Sequence, residues 1–99
     1  MIEHTVTFRL RHARGSPAET DFLAAARELA TIPGVHDFAI RRQVSPKYDH
    51  TFGITMRFAD QAAYDHYNTH PLHVAFVRDR WVPEVAAFQE ADFVPLPGR

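Results

Sequence analysis

Residues 67 to 76 read YNTHPLHVAF, setting a phenol, Tyr67, and two imidazoles, His70 and His73, within seven residues around a proline. A phenol donates a hydrogen bond to an oxygen on which negative charge develops, and a neutral imidazole accepts a proton. Together they supply what proton abstraction beside a carbonyl needs, a transfer worth roughly 10²- to 10⁴-fold in rate. Pro71 lacks an N–H and suits the first position of a helix, which predicts His70 near the N-cap and His73 in the first turn. A helix N-terminus disfavours an imidazolium, so His73 is expected to be neutral near pH 7. Helical spacing groups His73, Phe76, Val77 and Trp81 on one side. Tyr67 ends the preceding helix, and a tight link brings its phenol toward the same place.

Two further imidazoles come from strands. In IEHTVTFRL, the positions Ile2, His4, Val6, Phe8 and Leu10 alternate with Glu3, Thr5, Thr7 and Arg9, so His4 is the one polar group on an apolar face. HTFGITMRF alternates likewise and assigns His50, Phe52, Ile54, Met56 and Phe58 to one face. The expected pocket joins catalytic candidates Tyr67 and His73 to His4, Val6, Phe8, Phe22, Leu23, His50, Phe52, Ile54, Phe76 and Trp81 as substrate-binding walls. The competing reading makes each histidine a satisfied core-edge residue and the aromatic set core before pocket. His4, His50 and His73 have the ligand count for zinc, but no H-x-x-x-H pair or nearby carboxylate supports them, so no metal is expected. His66 and His70 read as surface pairs, and His12 and His36 as exposed.

Positioning falls to a short run of elements. Ser16 and Pro17 open a helix whose Phe22, Leu23, Ala26, Leu29 and Ala30 recur at helical spacing through PAETDFLAAARELA. IPGV ends it, VHDFAIRRQV reads as a second strand, and SPKYD as a turn before the third strand, 50–58. ADQAAYDHYNTH forms a helix opened by Asp60, and PLHVAFVRDRWVPEV another, interrupted near Pro83. AAFQEADFVPL supplies a fourth strand, with Pro95 and Pro97 marking an unpaired tail. The order βαββαβ predicts an α+β fold, a four-stranded antiparallel sheet with helices on one face. The other face carries Thr5, Thr7, Thr51, Thr55 and Arg57, too polar for a second core yet amphipathic enough for a twin sheet to cover.

Composition bounds the function class. The 99 residues suit one domain, 1–99, and the 45% hydrophobic and 23% charged content is that of a globular chain. Eleven basic against twelve acidic residues, with no long run of either, argue against a nucleic-acid partner. With no cysteine, disulfides, thiolate metal sites and cysteine nucleophiles are all excluded. The N-terminus lacks the continuous apolar run of a signal peptide, and no run approaches the roughly 20 residues that cross a bilayer. A cytoplasmic location without a membrane partner is the expectation.

The initial H-x-V-x-F, the IPGV after the first helix, the F-x-D after the third strand, and YNTHPLHVAFV followed by a tryptophan together resemble the stress-responsive A/B barrel, or Dabb, family over nearly the whole chain. The resemblance implies a ferredoxin-like fold that pairs as a dimeric α/β barrel, hence a homodimer. It also implies the chemistry of the family's plant polyketide cyclase, an aldol condensation without a cofactor, with Tyr67 and His73 matching the catalytic pair and His4 and His50 the strand histidines. Ala26 stands where that cyclase narrows its pocket with a tyrosine, so the expected substrate is a small apolar or aromatic carbonyl compound of unspecified identity. Two other functions stay open: a non-catalytic stress-responsive or ligand-binding dimer, and a cofactorless monooxygenase of phenols.

Overall fold

The structure is a computed structural model that describes residues 1–98. The first strand, β1 (Ile2–Leu10), follows its alternation closely: His4, Val6, Phe8 and Leu10 are buried on one face. Helix α1 (Pro17–Arg27) begins where Ser16 caps it, its side chain accepting from the Glu19 N–H at 3.2 Å, with Pro17 in the first turn. Glu19 reaches back and its Oε1 accepts from the Gly15 N–H at 3.1 Å, which satisfies a carboxylate buried to 6% exposure. The helical pattern does not stay α to residue 30; Glu28–Thr31 tightens into a 3₁₀ turn, which leads to the IPGV reversal. Gly34 adopts φ +93° there, a conformation that disfavours other residues.

Strand β2 (His36–Arg42) is shorter than VHDFAIRRQV, and its register shifts between His36 and Ala39, where Asp37 has φ 53°. Strand β3 (Phe52–Phe58) starts two residues later than the alternation implied. Asp60 caps helix α2 (Gln61–Thr69) by accepting from the Ala63 N–H at 2.9 Å. Helix α3 (Pro71–Phe76) follows with His70 as its N-cap, its Nδ1 accepting from the Leu72 N–H at 3.1 Å. The continuation through Pro83 is a π turn, Val77–Trp81, and a single helical turn, α4 (Val82–Glu84). Pro83 has no N–H to give to the ladder, and the Val82 N–H reaches the Val77 carbonyl five residues back, which widens the turn. Strand β4 (Val85–Phe93) closes the chain, and residues 94–98 extend beyond it unpaired.

The strands form one antiparallel sheet in the order β2-β3-β1-β4, with β1 central. All helices lie over the face that carries Val6, Phe8, Ile54, Met56 and Phe58, and the core is continuous from Phe22, Ala26 and Leu29 of the first helical segment to Tyr67 and Phe76. Trp81 is the hinge of this core: its ring centroid lies 5.0 Å from that of Phe8 and 6.2 Å from that of Phe22. No chain segment is paired along the outer edge of β4 among the described residues.

Candidate functional site

A cavity of about 550 Å³ lies between the β4 side of the sheet and helices α2 and α3, a size that holds a small organic molecule. His4, Val6, Ile54 and Met56 form its floor; Tyr64, Tyr67, His73 and Phe76 form its roof. Trp81 and Phe88 close one end with rings at 74° and centroids 5.5 Å apart. The wall is mainly apolar, and a few polar groups converge in it.

Tyr67 and His73 come together as their spacing implied. Their ring centroids are 4.4 Å apart, because α2 ends at Thr69 and α3 restarts at once, folding residue 73 back over residue 67. The His73 Nδ1 lies 3.1 Å from the Asn68 carbonyl, so Nδ1 carries the proton and donates, leaving Nε2 with the lone pair. Burial lowers the pKa of His73, the neighbouring His4 lowers it further, and the Asn68 carbonyl and Glu90 pull the other way. The leading cause of the neutral imidazole is therefore burial; α3 has only six residues, and the helix end is not needed to explain it.

Tyr67 is 2% exposed, and its pKa is raised first by burial and then by Glu90, so it stays a phenol with a proton to donate. Its hydroxyl bonds to no described residue, yet no sealed side-chain oxygen or nitrogen lacks a partner among them. The Tyr67 hydroxyl therefore opens onto the cavity it lines.

His4 is buried at the floor, with its Nδ1 2.6 Å from Asp92 Oδ1 and 2.8 Å from the Tyr64 hydroxyl. The register explains the contact: His4 pairs with Asp92, and Val6 with Glu90, across β1 and β4. Neither carboxylate nor Tyr64 was anticipated in the pocket. The alternation of β4 in fact points Phe88, Glu90 and Asp92 toward the helices, a signal present in AFQEADF but weakened by two acids on an apolar face.

His50 is a correction. Its Nδ1 lies 2.9 Å from the Thr7 hydroxyl and 3.0 Å from that of Tyr48, and Thr7 sits on the face of β1 opposite His4. Because β3 begins at Phe52, residue 50 belongs to the segment leading into the strand and escapes its alternation. His50 does not line the cavity, and the trio His4, His50 and His73 is divided by the sheet. Among the described residues, no three histidine, aspartate or glutamate side chains form a metal-ligand cluster.

The apolar expectations divide likewise. Val6, Ile54, Phe76 and Trp81 line the cavity. Phe8, Phe22, Ala26 and Phe52 are buried in the core on the α1 side, and Leu23 packs against that core; none of the five reaches the cavity. Trp81 fills the space between, with Phe8 and Phe22 behind it. Of the histidines read as exposed, His36 is so, but His12 lies 2.7 Å from Glu84 in a network with Arg80 and Asp21. No described helix is long and apolar enough to cross a membrane.

A four-stranded antiparallel sheet in this order, covered on one face by helices that enclose an imidazole and phenol cavity, defines a ferredoxin-like α+β protein. The chain belongs to the stress responsive A/B barrel domain family, Dabb, which matches residues 2–95. A Dabb family protein with a ferredoxin-like fold from Mesorhizobium loti is 59% identical, covering 96% of both chains, with a TM-score of 0.95. A dimeric ferredoxin-like protein of unknown function from Thermobifida fusca is 21% identical over 95% of this chain and 90% of that one, with a TM-score of 0.77. A hydroxynitrile lyase from Passiflora edulis is 15% identical over 97% and 94%, with a TM-score of 0.83. At these lower identities the likeness is one of fold. No curated protein matches the sequence.

Proposed function

We propose that this protein is a cofactor-independent enzyme that abstracts a proton beside the carbonyl of a small apolar or aromatic, polyketide-like compound, in aldol-type cyclase or lyase chemistry. The observation that carries the reading is the Tyr67 and His73 pair over one cavity: the imidazole has its Nδ1 proton tied to Asn68 and a free Nε2, and the phenol is held protonated. His73 takes the proton and Tyr67 donates to the enolate oxygen. Val6, Ile54, Phe76 and Trp81 bind the apolar part of the substrate and exclude water from the enolate.

The working unit is a homodimer of one-domain protomers, an assembly supported by the dimeric ferredoxin-like proteins of the same fold from Thermobifida fusca and Jannaschia. Incubation with a panel of diketides, tetraketides and phenols, followed by product analysis, tests the reading. Cyclised or cleaved carbonyl products formed without oxygen are expected. Products that require oxygen would replace it with a monooxygenase, and saturable binding without turnover would make the protein a ligand carrier.

A further inference from the structure

The cavity holds a second imidazole whose surroundings are built differently from those of His73. At His4, the Nδ1 meets the Asp92 carboxylate at 2.6 Å. The Tyr64 hydroxyl lies 3.1 and 3.0 Å from the two oxygens of the same carboxylate and 2.8 Å from Nδ1. A carboxylate is an acceptor only, so both neighbours donate to it: Nδ1–H to Oδ1, and the Tyr64 O–H to the carboxylate. Burial and then the Asp92 hydrogen bond raise the pKa of Tyr64, which keeps the phenol a donor. This pattern admits one neutral tautomer, with the proton on Nδ1 and the lone pair on Nε2. Nε2 bonds to no described residue and is not a sealed orphan, so it faces the cavity that His4 lines.

The three groups come from β1, α2 and β4, 60 and 88 residues apart in the chain, so their convergence is a tertiary construction. His73 leans on a neutral carbonyl; His4 leans on a full negative charge. A carboxylate bonded to Nδ1–H holds the ring in orientation and compensates the positive charge that appears when Nε2 takes a proton.

We propose that His4 is a second acid–base residue of this cavity, with Asp92 and Tyr64 as the positioning residues that set its tautomer and neutralise its protonated form. The assignment rests on the proposed carbonyl chemistry and gives it a complete proton path. His73 Nε2 removes the proton from carbon, and the C–H electron pair becomes the enolate, whose oxygen accepts from Tyr67. The enolate carbon then attacks a second carbonyl of the substrate. As that C–C bond forms, the carbonyl π pair moves to oxygen, which takes the proton from Nε2 of doubly protonated His4. The proton on His73 leaves to solvent and His4 regains one, so hydrogen moves from carbon to oxygen with no oxidant or reductant.

The test needs no substrate. Nitrogen-15 NMR of the histidines, with resonances assigned by His4→Gln and His73→Ala, should find His4 as the Nδ1–H tautomer when neutral. A carbonyl-bearing alkylating agent, chloroacetone, should modify His4 and His73 at Nε2, the residues located by mass spectrometry and the ring nitrogen by nitrogen-15 NMR of the adduct. Asp92→Asn should disturb the His4 tautomer and slow its alkylation by on the order of tenfold or more, while His73 reacts as before. Tyr64→Phe, which spares the carboxylate, should keep the tautomer and slow His4 less. An Nε2–H tautomer in the wild type overturns the proposal, as does a His4 that chloroacetone leaves untouched or alkylates equally fast in Asp92→Asn. The wild-type measurements stand even where a variant folds poorly. Failure at His73 alone, with His4 behaving as described, would instead count against the Tyr67 and His73 reading.

Discussion

At the scale of single residues, the proposed site divides into groups assigned to act on a proton and groups that set their readiness. His73→Ala removes the proposed base, and Tyr67→Phe removes only the proposed donor. Each should lower kcat by about 10²-fold or more on the substrate found, with unchanged circular dichroism and a smaller change in KM. The pH dependence follows from the depressed pKa of His73. A base whose pKa lies below the ordinary value of about 6.5 stays neutral as the pH falls past that value, so activity persists there and is lost only through the lowered pKa. Glu90 opposes the depression by favouring the imidazolium. Glu90→Gln should therefore move the acid limb of the rate profile to still lower pH; a shift toward higher pH would contradict the assignment of His73 as the base. The Tyr67 and His73 pair was legible because its seven residues encode their own turn through Pro71. The Asp92 and Tyr64 contacts to His4 were not, because they depend on the register between the first and last strands, which no local pattern states.

At the scale of elements, the boundary between core and cavity runs through Trp81. The π turn that ends in this residue, imposed before Pro83, leaves its ring against Phe8 on one side and the cavity on the other. Alternation and helical periodicity state which residues turn inward but cannot separate those that line the cavity from those that touch only each other. The placement of His50 has a similar origin: its period-two match to the strand lies in the segment before β3, where the side chain turns to Tyr48 and Thr7. Substitution distinguishes the two groups. Phe22 is fully buried against Phe8 and Phe76, away from the cavity. Phe22→Ala should cost about 3–5 kcal/mol of stability, read as a shifted denaturant midpoint, and the fraction that remains folded should keep its ligand affinity. A variant as stable as the wild type but unable to bind would put Phe22 in the pocket after all.

At the scale of the whole molecule, the helices cover one sheet face, and on the other only the segment before β3 reaches in among the described residues, with Tyr48 and His50 against Thr7. Thr5 pairs directly with Thr55, and Thr7 with Gly53, in the middle of that open face. Around them polar groups bond laterally: Thr5 donates to the Ala91 carbonyl at 2.7 Å, Arg41 to the Thr55 hydroxyl at 3.2 Å, and Thr7 lies 2.7 Å from the Tyr48 hydroxyl. A polar face satisfied in this way can meet a second copy of itself without stranding its hydroxyls, and the small residues let two sheets approach to the roughly 10 Å of packed layers. The protein should therefore sediment as a dimer at micromolar concentration. Asp at both Thr5 and Thr55 sets like charges opposite each other on one sheet and repeats them on the facing sheet, where water would be excluded. Charges placed directly opposite on a strand pair destabilise it even when solvated, and burial between sheets raises that cost. The double variant should sediment as a folded monomer. If it stays a dimer, the partner sits elsewhere, and the unpaired edge of β4 becomes the surface to examine. A wild-type monomer would mean that this face is solvated in the working protein.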